Sequence, residues 1–156
     1  MKTKRFEIDI IVLEDNNYYR YALLKELKNC ILVYPGSNYI KFNFHQYAGA
    51  IDFINDFKDD RFLGRNVIAF IDYYLGDGIN GKHIIKRLKE NNCSIKTVLI
   101  SQSNNLKYLY RKSGDRGNEI DFVAKDEYTL PICSLILEQF IEAKDLQSNV
   151  KYDIKV

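Results

Sequence analysis

Val67-Ile68-Ala69-Phe70-Ile71-Asp72 is an apolar run that stops on a carboxylate, and Ile10-Ile11-Val12-Leu13-Glu14-Asp15 repeats the pattern. A strand without polar alternation is buried on both faces, as strands are in parallel sheets covered by helices on either side. Two such strands lying side by side deliver their terminal acids to one rim. That rim is where open α/β sheets place their chemistry.

The text around these runs supplies the crossovers. After Asp15, the residues Tyr19, Ala22, Leu23 and Leu27 fall at helical spacing, with Asn16 or Asn17 as the start. Tyr34-Pro35-Gly36-Ser37-Asn38 is a turn, and residues 39–44 alternate as an edge or half-buried strand would. A second helix is expected over residues 48–57, with Ala50, Ile51, Ile54 and Phe57 on its apolar stripe. Beyond Asp72 comes a glycine-rich loop, Leu75-Gly76-Asp77-Gly78-Ile79-Asn80-Gly81, and then a third helix carrying Ile84, Ile85 and Leu88 and ending at Asn91-Asn92. Residues 95–100 read as a fourth strand closing on Ser101, and residues 120–124 as a fifth closing on Lys125. Between them, residues 106–112 are expected as a polar helix followed by a loop at 113–117. Thr129 can cap a last helix with Pro131 in its first turn and Leu135, Ile136, Phe140 and Ile141 on its buried face. Five strands alternating with five helices predict a doubly wound α/β domain, a five-stranded parallel sheet with right-handed crossovers, and the order 2-1-3-4-5 follows if the acid-ended first and third strands adjoin.

At 156 residues with 46% hydrophobic content, one domain with a real core is expected. Residues 1–146 are assigned to it and residues 147–156 to a short tail without an effector domain. The 23 basic and 21 acidic residues nearly cancel, so no net field recommends nucleic acid or an acidic membrane as partner. No apolar stretch approaches membrane-spanning length. Cys30, Cys93 and Cys133 show no C-x-x-C spacing and read as core fillers in a reducing, cytoplasmic compartment.

The predicted topology puts Glu14, Asp15, Asp72, Ser101 and Lys125 at the carboxyl ends of strands 1, 3, 4 and 5. Singly, each has a bland reading as a cap, a turn residue or a solvated charge. Jointly they make a site. Two carboxylates ~4 Å apart repel by about 4 kcal/mol at an effective dielectric near 20, and one lysine cannot neutralise three of them. A hard divalent cation relieves this, and Mg²⁺ suits a few carboxylates with shared phosphate oxygens. His45 and His83 do not extend the acids into a transition-metal pattern. A carboxylate beside a cation, a hydroxyl and an ammonium fits in-line phosphoryl transfer to Asp72.

This ordered set, Glu14-Asp15, Asp72 with Tyr73-Tyr74-Leu75-Gly76-Asp77-Gly78, Ser101 after Val98-Leu99-Ile100, and Lys125 after Phe122-Val123-Ala124, resembles the receiver domains of two-component response regulators over residues 6–142. The resemblance implies a flavodoxin-like receiver fold, Asp72 as phosphoacceptor, Ser101 as switch hydroxyl, Lys125 as phosphoryl contact and Phe122 as aromatic switch. It implies Mg²⁺ held by Glu14, Asp15, Asp72 and the backbone carbonyl of Tyr74. It further implies a histidine kinase or phosphotransfer protein as donor, and with no effector domain expected after the last helix, output is expected through protein contact rather than DNA. The face of the fourth helix, fifth strand and fifth helix would serve a downstream protein or a homodimer, with Tyr108, Tyr110, Arg111 and Lys112 as contributors. Such a chain is not a metabolic enzyme. The sequence departs from the family where Asp126 follows Lys125 in place of proline, where Gly76 replaces a proline in a longer loop, and where Gln102 follows the switch hydroxyl. Competing expectations are a phosphate-independent adaptor and a small phosphohydrolase, the latter weakened because Tyr74 stands where a general acid is wanted. A flavodoxin-like cofactor binder is weakened because Glu14-Asp15 stands where a phosphate-cradling loop is wanted.

Overall fold

The computed structural model describes residues 6–56, 61–76, 78–91, 95–103 and 120–153. Five strands, β1 (Phe6–Leu13), β2 (Ile40–Tyr47), β3 (Asn66–Asp72), β4 (Lys96–Ser101) and β5 (Ile120–Ala124), form one sheet of order β2-β1-β3-β4-β5. Every pairing is parallel. The order is the one expected from the sequence. Helices α1 (Asn17–Val33), α2 (Ala50–Asp56) and α3 (Gly81–Asn91) provide crossovers among the described residues, and α4 (Thr129–Asp153) follows the last strand. The predicted helix at 106–112, the loop at 113–117, Phe57, Asp77, Asn92 and Cys93 lie outside those residues.

The period of two in the strands sorts the core into two layers. Val67, Ala69 and Ile71 of β3 point to one face with Ile11 and Leu13, where Ala50 and Phe53 of α2 and Ile84, Ile85 and Leu88 of α3 cover them. Ile68 and Phe70 point the other way with Ile8, Ile10 and Val12, under Leu23, Leu24 and Leu27 of α1 and Cys133, Leu137, Phe140 and Ile141 of α4. This is why β1 and β3 carry continuous apolar runs. Cys30 and Cys133 fill the second layer as expected, and burial pushes both thiols up, Cys133 to about 12.

Two helical stripes differ from expectation. In α2, Ile51 faces solvent and Phe53 is buried, because Phe53 meets the ring of Tyr47 edge-on at 5.1 Å. In α4, Leu135 is exposed, while Cys133 and Leu137 seat against β1, β3 and β4 residues. A run of apolar residues on consecutive turns allows more than one stripe, and packing selects one. α4 also continues past position 146 to Asp153.

β1 begins earlier than its apolar run and carries two acids. Asp9 points into the α2-side layer and is wholly buried. His45 Nε2 lies 2.9 Å from its Oδ1, while Arg65 donates from Nε to Oδ2 at 2.6 Å and from Nη2 to Oδ1 at 3.0 Å. Arg65 also donates to Glu7, which accepts from Asn43 and Lys41 as well. Asp56 closes the outer side, accepting from Tyr47 and Arg61, and the His45 ring stands edge-on to Phe62 at 5.2 Å. This network ties edge strand β2 and the turn at 61–65 to the sheet.

Candidate functional site

The turn after β1 places two carboxylates at the rim, Glu14 buried and Asp15 exposed. Asn16 caps α1, its Oδ1 accepting from the N–H of Tyr19 at 3.1 Å. The Asn16 N–H donates to Glu14 Oε1 at 3.1 Å, and Arg20 Nη1 reaches back to the Glu14 carbonyl at 2.9 Å. Helix start and acidic pair are thus one unit.

Asp72 ends β3 beside this unit. Each of Glu14, Asp15 and Asp72 offers a carboxylate oxygen within 4.8 Å of the others, with Glu14 and Asp72 buried and Asp15 exposed. Lys125, the residue after β5, sends its ammonium between them. Nζ lies 3.2 and 3.1 Å from the two oxygens of Glu14 and 3.5 Å from Asp72 Oδ2. The lysine is set by its own backbone, whose N–H donates to the Ser101 carbonyl at 2.9 Å. All peptide bonds of the described residues are trans, the one joining Lys125 to Asp126 included.

The electrostatics follow from burial. Desolvation, and then the charge of Asp72, push the Glu14 carboxyl above the ordinary carboxylate value. Desolvation pushes Asp72 up as well, against the pull of Lys125 and the Tyr74 N–H, which lies 3.4 Å from Asp72 Oδ1. Burial works against the charge of Lys125, but Asp72 and Glu14 outweigh it and hold its pKa above the usual lysine value. Two buried acids share one ammonium, and this donor set of hard oxygens fits a divalent cation of the Mg²⁺ class.

Ser101 ends β4 one residue past Ile100, the register partner of Asp72. It is buried, and its Oγ accepts from the Ser103 N–H at 3.0 Å. Phe122 is partly buried on β5 and packs against the α2-side layer. Tyr74 is exposed and bridges to Asn80, which caps α3 by accepting from the N–H groups of Lys82 and His83. Gly76 and Gly78 of this loop both take positive φ, 71° and 72°, which accounts for glycine at each. Thr129 differs from expectation: its hydroxyl accepts from the Asp126 N–H at 2.8 Å and donates to the Ala124 carbonyl at 2.7 Å, so it clasps the Lys125 turn.

Gly81 supports the site from below. Its N–H donates to the Tyr73 carbonyl at 2.8 Å, and an added Cβ would lie 2.7 Å from Leu99 Cδ1, 3.1 Å from Tyr73 Cα and 3.3 Å from the Asp72 carbonyl. Two of those neighbours are backbone and cannot swing aside. Gly81→Ala should therefore destabilise the fold by about 1–3 kcal/mol in urea unfolding, although alanine is the better helix former by ~1 kcal/mol. An unchanged or higher midpoint would show that the seat has slack.

At the level of sequence, no family model and no curated protein matches the chain. Solved structures do match. The response regulator DrrB of Thermotoga maritima superposes with a TM-score of 0.65 at 16% identity over 89% of this chain, which spans about half of DrrB (54%). A receiver domain from Rhodospirillum rubrum matches with a TM-score of 0.64 at 18% identity, over 85% of this chain and 92% of that one. A response regulator from Burkholderia pseudomallei matches with a TM-score of 0.57 at 13% identity, over 90% and 74%.

The fold is that of a response-regulator receiver domain. Within this receiver fold, the structure brings Glu14, Asp15, Asp72 and Lys125 together and sets Ser101 on the same rim. Sequence reasoning missed three residues of the neighbourhood: Arg20, which pins the Glu14 backbone; Gly81; and Tyr19, whose ring centroid lies 4.4 Å from Lys125 Nζ. Tyr19 was legible only as part of a helical stripe. Its third-residue position after the cap, which aims it at the rim, was the available signal.

Proposed function

We propose that the chain is a phosphoacceptor receiver of a two-component phosphorelay, with Asp72 taking the phosphoryl group from a histidine kinase or phosphotransfer protein. The observation that carries this reading is the Lys125 ammonium held at 3.1 and 3.5 Å between Glu14 and Asp72 while Asp15 completes the acidic group. Two structural neighbours support it: the Burkholderia protein carries a phosphorylated aspartic acid and a calcium ion, and the DrrB receiver domain has a BeF3-activated form.

In the reaction an Asp72 carboxylate oxygen forms the O–P bond as the P–N bond of the donor phosphohistidine breaks, its electron pair staying on the imidazole nitrogen. Glu14, Asp15, Asp72 and the Tyr74 carbonyl would hold Mg²⁺, which when bound screens the negative charge of the phosphoryl group. Lys125 is near enough to exchange its Asp72 contact for a phosphoryl oxygen. Ser101 already accepts a hydrogen bond from Ser103, so its own hydroxyl proton is available for donation to another phosphoryl oxygen. That capture would favour inward packing of Phe122 on β5 and alter the surface at the β5 edge of the sheet. Output is then contact with a downstream protein or a second copy, in the cytoplasm, without metabolic turnover.

The test is to incubate the purified chain with Mg²⁺ and acetyl phosphate and follow intact mass. One base-labile phosphoryl group on the wild type, absent with EDTA, is expected. Rapid donor turnover without an adduct would point to a hydrolase, and no reaction at all would end the phosphoacceptor reading.

A further inference from the structure

Lys125 is held on more than its carboxylate side. Its side chain is only 9% exposed, yet it stands at the wall of a groove of about 430 Å³ lined by Tyr18, Tyr19, Leu23, Ile100 and Leu130. What covers the ammonium on the groove side is the Tyr19 ring, itself 41% exposed. Its backbone is set at the start of α1. The Tyr19 N–H is fixed on the Asn16 cap, and Tyr18 stands edge-on to it with centroids 5.7 Å apart at 80°.

An aromatic face carries negative electrostatic potential, and an ammonium over it is attracted more strongly when water is excluded. The ammonium donates to Glu14 and Asp72, and the ring face adds a contact of its own, with the Tyr19 centroid 4.4 Å from Nζ. Without the ring a four-carbon lysine stem could turn its charge into the groove and toward water.

We propose that Tyr19 is a positioning residue: its ring holds the Lys125 ammonium over Asp72 and shields it from solvent, so that the lysine is in place when the phosphoryl group arrives. This rests on the phosphoacceptor reading for its kinetic consequence, but not for the contact itself. The phenol oxygen has no part in it, since the ring face is the interacting group. Tyr19→Phe should therefore behave as wild type, and Tyr19→Leu, which keeps bulk and helix propensity, should not.

Two measurements separate the contact from the chemistry. Acylation of Lys125 by a small amine-directed reagent, without metal or phosphodonor and read by peptide mass, should be about five- to tenfold faster in Tyr19→Leu and within about twofold of wild type in Tyr19→Phe. Phosphorylation by acetyl phosphate with Mg²⁺ should be about five- to tenfold slower in Tyr19→Leu and restored in Tyr19→Phe. Circular dichroism of all three chains checks that the helices persist. Equal Lys125 acylation in wild type and Tyr19→Leu would overturn the inference outright. Faster acylation with an unchanged phosphorylation rate would overturn the positioning role. Shielded Lys125 in a wild type that takes no phosphoryl group would instead bring down the phosphoacceptor reading, and the positioning role with it.

Discussion

Asp72→Asn should unfold at a higher temperature than the wild type in EDTA while taking no phosphoryl group from acetyl phosphate. The loss is chemical, because an amide oxygen does not form the acyl phosphate. The gain is electrostatic. Asp72 and Glu14 are buried carboxyls whose pKa values are pushed up by desolvation, and Lys125 already contacts both oxygens of Glu14. Removing one of the two acids leaves a single balanced pair. The expected stabilisation is about 1–2 kcal/mol, the usual scale on which a reactive site is traded for stability.

The pH dependence gives the sign. A carboxyl whose pKa is raised by folding binds its proton more tightly in the native state, so its stabilising effect is full below the unfolded value and is lost as pH rises through the folded one. For Glu14 and Asp72 that window opens at the ordinary carboxylate range and extends upward. Wild type in EDTA should therefore lose stability on passing from mildly acidic to neutral pH, and Asp72→Asn should lose less. Thermal melts of both chains at a series of pH values measure it. Parallel curves would show that the site carries no such strain.

Asp9→Ala should destabilise the sheet by about 3 kcal/mol or more. The carboxylate has no exposed surface and receives His45 on one side and Arg65 on the other. Desolvation raises its pKa, but the bonds from His45 and Arg65 outweigh this and hold it below the usual value. Its contribution is thus present at neutral pH and disappears as pH falls through the folded pKa, opposite to the pair at the rim. Removing it leaves the Arg65 guanidinium and the His45 ring facing a cavity in the α2-side layer. Urea unfolding at neutral pH, compared with Asp9→Leu, tests the cause: the apolar replacement should recover part of the loss by filling the space. An Asp9→Ala midpoint within error of wild type would refute the role of the network.

The contrast between these two acids explains what was readable in the chain. Asp72 announces itself because it ends a run of residues buried on both faces, and strand ends in a parallel sheet converge wherever the topology is known. The strands therefore follow from periodicity, and the meeting of positions 14, 15, 72 and 125 follows once the first and third strands adjoin. Asp9 reads as the polar start of a strand, since its partners lie 36 and 56 positions away on β2 and the turn before β3. The exposed Ile51 and Leu135 failed for a related reason: several apolar residues per turn offer alternative stripes, and only contact with Tyr47 or the sheet selects among them. Tyr19 belongs to the same class, an aromatic whose partner is 106 positions distant by numbering, 125 less 19, and adjacent only after folding.

The shared carboxylate on β1 also constrains how the sequence can drift. Positions 9, 45 and 65 form one electrostatic unit, so their substitutions are epistatic: a change at one alters the sign of a change at another. In a library randomised at all three, survivors should fall into two groups, those retaining the hydrogen-bonded trio and those exchanging it wholesale for apolar residues, with mixed genotypes depleted.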